Sequence, residues 1–238
     1  IFSAADILNQ VFEKSFDAQM DRTAGRPLPT GVISVPASVL LSVLFLIIGS
    51  FILYFFSYYM TLAFSILILL LYDFVYTPLK RITWLNTFIG AIPGALPVVC
   101  GWVAFSSFMD TEIWLLFGIF YCWQMPHFYA ISWMQKDAYL SAGFKMLSNW
   151  DLSGKVTAFM IVSFTVLTIY ICFLMINFFP KFGLLYQLSN IYVLGALGWG
   201  GIRFFFDPSY KQSRVVMFLS LLFPVTFLLV VILDSLLV

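Results

Sequence analysis

Charge is scarce in this chain. Only 10% of its 238 residues are Asp, Glu, Lys or Arg, against about 25% in ordinary soluble domains. With 62% hydrophobic residues and a mean hydropathy of +1.00, the deficit excludes a soluble domain and implies a polytopic membrane protein whose partner is the lipid bilayer. No basic stretch is dense enough to neutralise a run of phosphates, which argues against nucleic acid as a partner. The three cysteines, Cys100, Cys122 and Cys172, lie singly in apolar segments. They lack the paired spacing of a disulfide or zinc site and read as buried structural thiols. Low-complexity stretches and a signal peptide are missing too. The chain opens on Ile1, and its first apolar segment is shorter than the about 20 residues that span a bilayer. The sequence is therefore expected to begin partway down a helix, so that residues 1–238 form a single, N-terminally incomplete intramembrane domain.

Long apolar runs are abundant. They fall at about 35–50, 51–72, 87–107, 112–134, 156–179, 183–203 and 214–236, which predicts seven full spans after a partial first helix. Backbone groups in lipid must be satisfied within each segment, so helices are expected throughout. Gly49-Ser50 predicts a tight hairpin between the first two runs. Loops at about 13–34, 73–86, 135–155 and 203–214 carry every Lys and Arg except Lys181. By the positive-inside rule these loops are cytoplasmic, or matrix-side in an organelle, and the C-terminus lies opposite. Polar, mixed-charge loops follow the first helix and the 112–134 span, a weak repeat that suggests two halves presenting polar clusters to one cavity.

Asn9, Glu13 and Asp17 stand four residues apart. A helix stacks them along one face at about 6 Å per step. Carboxylates at a membrane helix end suit a cation shared with an anionic ligand. Magnesium prefers such oxygens and bridges to phosphate, while Arg22 and Arg26 just beyond suit phosphate oxygens. A solvated helix end with local ion pairs is the plainer reading. Tyr76 and Lys80 are again one turn apart, and Lys80-Arg81 adds positive charge, although a basic interfacial anchor would look the same. Pro93 and Pro97 among Gly90, Ala91, Gly94 and Ala95 predict a kinked helix with close backbone approach. His127, the chain's one histidine, lies within a span, where a functional role and a hydrogen-bonded structural one are both open. Asp137, in the next polar loop, offers a second metal ligand or a solvated charge.

Together these segments resemble the intramembrane prenyltransferases of the UbiA superfamily, and within it the heme branch. The resemblance rests on the run from Asn9 to Asp17 with Met20-Asp21-Arg22-Thr23 and Arg26-Pro27-Leu28. It continues through Tyr76-Thr77-Pro78-Leu79-Lys80-Arg81, the stretch from Asn86 to Trp102, Trp123-Gln124-Met125-Pro126-His127-Phe128 and Ala142-Gly143-Phe144-Lys145-Met146-Leu147. It implies an all-α membrane fold of nine helices around a central cavity, the first helix and part of the second lying outside this chain. The implied reaction joins a farnesyl group from farnesyl diphosphate to a vinyl group of heme B, with water supplying a hydroxyl and diphosphate leaving. Asn9, Glu13 and Asp17 would hold Mg²⁺ against the diphosphate. Arg22, Arg26, Lys80 and Arg81 would stabilise the departing anion with Tyr76 nearby, and His127 would contact heme. Two departures stand out: Glu13 replaces a common aspartate, and Ala138 occupies a slot that is often acidic. Either Asp137 substitutes from one position earlier or a second metal site is weakened. A prenyltransferase of an aromatic quinone precursor such as 4-hydroxybenzoate is the alternative within the family. A transporter is the alternative outside it. The implied location is the bacterial inner membrane, or alternatively the mitochondrial inner membrane.

Overall fold

The structure, a computed structural model, describes residues 1–106, 109–178 and 183–237, without the side chains at 235 and 237. Lys181 lies outside the described residues. All regular structure among those residues is helical: α1 (Phe2–Asp17), α2 (Val35–Phe56), α3 (Tyr59–Leu70), a π-helical segment (Leu71–Tyr76), α4 (Thr77–Leu79), α5 (Asn86–Val103), α6 (Thr111–Met134), α7 (Lys136–Ser141), α8 (Leu147–Trp150), α9 (Lys155–Phe178), α10 (Leu184–Phe206) and α11 (Tyr210–Leu237). Five spans, Val35–Phe56, Tyr59–Leu79, Asn86–Val103, Lys155–Phe178 and Tyr210–Asp234, are long and apolar enough to cross a membrane. The chain is an integral membrane protein. Helices α6 and α10 match them in length, but polar and aromatic residues hold down their mean hydropathy. They are the two of the seven expected spans that fall short of this measure among the described residues.

The helices form two units, Ile1–Met109 with Lys136–Asn149, and Asp110–Gln135 with Trp150–Val238. In the first, α1 packs on α2, α3 on α5, and the π segment on α1 and α5. Ser34 opens α2 by accepting the Ala37 N–H, with Pro36 in the first turn, where a missing N–H costs nothing. The expected hairpin at Gly49-Ser50 is not there. Helix α2 runs through both residues and ends at Ser57, whose backbone is extended. Gly49 serves packing instead: a Cβ there would lie 2.8 Å from the Ile1 nitrogen. Small residues let helices approach closely in lipid, and Ser42 donates across the same seam to the Ala4 carbonyl at 2.8 Å. Helix α5 continues through Pro93 and Pro97 without interruption.

In the second unit α6 and α10 each pack on α9 and α11, closing a ring of four helices. Asp151 starts α9 by accepting the Thr157 N–H at 2.8 Å. Asp234, near the end of α11, accepts the Gly183 and Tyr186 N–H groups at 3.0 Å each and so caps α10 from another helix.

Candidate functional site

Helix α1 inverts the usual pattern of a soluble amphipathic helix. Its buried residues are Ala4, Ala5, Asn9, Glu13 and Asp17, while Phe2 and Phe12 are exposed. The polar face therefore turns inward and the apolar face outward, as lipid demands. Each of the three stacked side chains meets a basic or hydroxyl partner. Asn9 Nδ2 donates to Thr77 Oγ1 at 2.7 Å, and Thr77 donates to the Tyr72 carbonyl at 2.9 Å. Lys80 Nζ donates to Glu13 Oε1 at 2.9 Å, with both side chains largely buried. Arg26 reaches back to Asp17 Oδ2 at 2.7 Å, and Thr23 donates to the Asp17 carbonyl at 2.9 Å.

The π segment explains how residues some seventy positions apart meet. An i→i+5 turn adds a residue to the helical cycle and rotates the downstream residues about the axis, a device common at functional sites. Here it lets Thr77 bond the carbonyl five residues back and carries Tyr76 and Lys80 over α1. The Lys80 ammonium sits 4.5 Å from the Tyr76 ring centroid, and the Tyr76 ring lies against Gly90. A Cβ at Gly90 would fall 2.4 Å from Tyr76 Cε2, so that glycine is what makes room for the ring. Arg81 donates to the Phe12 carbonyl at 3.0 Å and lies over the Phe16 ring.

The loop after α7 belongs to this unit. Gly143, at φ +78°, ends α7 in the left-handed conformation that glycine tolerates. The next turn lays the Lys145 N–H on the Lys80 carbonyl at 2.6 Å. Asn86 Nδ2 then holds the Lys145 and Thr83 carbonyls at 2.7 Å each. Met20, Ala142, Phe144 and Met146 bury one another beneath this clasp, with Tyr139 packed against them. Asp137 and Arg22 are brought into neither group: both are exposed, Asp137 on α7 and Arg22 in the loop after α1.

Two features escaped the sequence reading. Asp73 in the π segment is 1% exposed with both carboxylate oxygens unpartnered, and it lines a 220 Å³ cavity with Phe12, Phe74, Thr77, Pro78 and Arg81. A carboxylate directly at the end of the apolar run 51–72 was the available signal. The clasp by Asn86 had none, because its partners are backbone atoms.

Among the described residues no three His, Cys, Asp or Glu groups lie close enough to cage a metal by themselves. Asp17 Oδ1 is nevertheless buried without a partner, and Glu13 meets Lys80 through Oε1 alone. Such hard donors fit a cation that takes one or two protein oxygens and completes its shell with water and phosphate.

His127 belongs to the second unit. Its Nδ1 lies 2.9 Å from Ser220 Oγ on α11, and its ring stacks on Trp123 one turn earlier. Trp123 Nε1 donates to the Ser220 carbonyl at 2.6 Å.

The profile of the UbiA prenyltransferase family matches residues 1–222. The protoheme IX farnesyltransferase of Cytophaga hutchinsonii is 39% identical over 222 residues, covering 92% of this chain and 75% of that one. The enzyme of the same name from Christiangramia forsetii is 36% identical over 240 residues, covering 98% and 78%. The solved apo structure of a UbiA homolog from Aeropyrum pernix K1 superposes with a TM-score of 0.74 at 16% identity, covering 98% of this chain and 84% of that one.

Proposed function

The chain belongs to the UbiA prenyltransferase family, and from that premise we propose that it transfers a farnesyl group from farnesyl diphosphate to a vinyl group of heme B. The family match runs through both helical units, which supports treating residues 1–238 as one prenyltransferase domain. The observation that carries the reading is the buried row Asn9, Glu13, Asp17 held against Lys80 and Arg26 at the end of α1. Burying these groups is costly unless an ionic ligand uses them.

In the proposed reaction the allylic carbon–oxygen bond breaks and its electron pair leaves with diphosphate. The vinyl π pair forms the new bond to C1 of the farnesyl group. Water adds to the resulting cation and loses a proton, leaving a hydroxyl. Asn9, Glu13 and Asp17 would hold Mg²⁺, with Asp137 the candidate for a second ion. Mg²⁺, when bound, neutralises diphosphate charge. The chain's own residues do the positioning. Arg26 and Lys80, paired with carboxylates here, exchange those partners for phosphate oxygens as substrate enters, and Arg22 and Arg81 add charge at the mouth. Tyr76 supports Lys80 through its ring face. Exclusion of water around Glu13 and Asp17 strengthens each of these interactions. The basic loops support a cytoplasmic or matrix face for this chemistry.

The test incubates purified membranes with farnesyl diphosphate and either heme B or 4-hydroxybenzoate and identifies the product by mass. Farnesyl hydroxyethyl heme, with Mg²⁺-dependent diphosphate release lost in Asp17→Ala, is the expected result. Prenylated 4-hydroxybenzoate would move the chain to the quinone branch. Absence of diphosphate release would favour transport.

A further inference from the structure

The second unit contains a small polar assembly that the diphosphate chemistry does not use. Ser220 is fully buried on α11, and its hydroxyl has one hydrogen to give. Ser220 Oγ lies 2.6 Å from the Met217 carbonyl, which can only accept. It also lies 2.9 Å from His127 Nδ1. Both contacts are hydrogen bonds only if serine donates to Met217 and the imidazole donates to serine. Nδ1 then carries the hydrogen, and in the neutral ring Nε2 is left with a bare lone pair. The ring also gives a hydrogen bond to the Met217 carbonyl, the same oxygen that lies 2.6 Å from Ser220 Oγ and that likewise calls for a ring N–H on this side, and the ring is only half-buried. Trp123 locks the arrangement from the other side, stacking on the imidazole at an interplanar angle of 21° while its Nε1 ties to the Ser220 carbonyl.

We propose that Ser220 is a positioning residue that fixes His127 as the Nδ1–H tautomer, so that Nε2 is presented as an axial ligand to the iron of a metalloporphyrin substrate. The inference rests on the proposed heme chemistry and adds the device that orients the ligand. Imidazole Nε2 is a common iron ligand, and a hydrogen bond from the other ring nitrogen sets both its basicity and its direction.

The experiment titrates detergent-purified full-length chain with heme B, records the iron–imidazole stretch of the ferrous complex by resonance Raman, and assays farnesyl transfer on the same samples. The wild-type protein is expected to show the stretch. His127→Gly should lose it and regain it with added imidazole. Ser220→Ala should shift the stretch and weaken heme binding about tenfold or more, and Ser220→Thr, which keeps the hydroxyl, should restore both. A stretch that persists in His127→Gly without imidazole, or a Ser220→Ala protein indistinguishable from wild type, overturns the proposal. Heme O formed by that same indistinguishable protein leaves the proposed function standing. A wild-type protein that neither binds nor farnesylates heme B overturns both.

Discussion

At the scale of single residues the balance of charge decides what is tolerable. Lys80 and Glu13 are 12% and 7% exposed in their side chains and 2.9 Å apart. Removing one member strands the other, at a cost of roughly 3–5 kcal/mol for a buried pair. Lys80→Gln is therefore expected to lower the unfolding temperature in detergent as well as kcat, the latter by about 10²–10³ if the ammonium stabilises the leaving anion. The double variant Glu13→Gln with Lys80→Gln separates the two effects. It removes both charges, so stability should largely return while turnover stays low; recovery of turnover would show that Lys80 matters only as a counter-ion. The spacing of Asn9, Glu13 and Asp17 was legible in the sequence, since helical periodicity is local. Their partners Thr77, Lys80 and Arg26 were legible only as motifs. Which carboxylate each cation would choose depends on the π segment, for which no residue pattern gives warning.

Elements are positioned by small residues and caps, and here the sequence was read with mixed success. Gly49 looked like a turn because glycine ends helices often; in lipid its lack of a side chain serves helix packing, and the chain breaks at Ser57 instead. The stretch around Gly90 was read as a place of close backbone approach; what lies against Gly90 is instead a side chain, the Tyr76 ring. Gly90→Ala should gain helix propensity of up to about 1 kcal/mol. The overlap at 2.4 Å works against it, since overpacking costs about 1–3 kcal/mol. The displaced ring would carry Lys80 with it, so a raised KM for farnesyl diphosphate together with a lower unfolding temperature is expected. An unchanged KM would show that the ring does not position Lys80. Asp234 makes the contrasting case. It caps α10 through two N–H groups, so Asp234→Ala should cost about 0.5–2 kcal/mol of stability with the activity per folded molecule unchanged. Thermal unfolding and a specific-activity assay on the soluble fraction would check both halves.

For the whole molecule the open physical question is how often the chain crosses the bilayer. Apolarity alone selects five spans, whereas the alternation of basic loops requires α6 and α10 to cross as well. Length favours crossing: 24 residues in α6 rise about 36 Å at 1.5 Å each, enough for a hydrocarbon core of about 30 Å. The shortfall in hydropathy comes partly from residues such as Gln124, which are buried against protein and need not face lipid. Cysteine labelling decides the matter cleanly, because Cys100, Cys122 and Cys172 are buried and give little background. Asp21, Asp110 and Leu152 are exposed and lie in three successive polar regions. Three spans, α2, the α3-to-α4 helix and α5, separate position 21 from position 110, and α6 alone separates 110 from 152. With a membrane-impermeant maleimide, Asp21→Cys and Leu152→Cys should label from the cytoplasmic or matrix side and Asp110→Cys only from the opposite side. Labelling of Leu152→Cys together with Asp110→Cys would mean that α6 does not cross. The clasp of Lys145 on Lys80 would then join loops from opposite faces of the membrane, which its 2.6 Å hydrogen bond forbids.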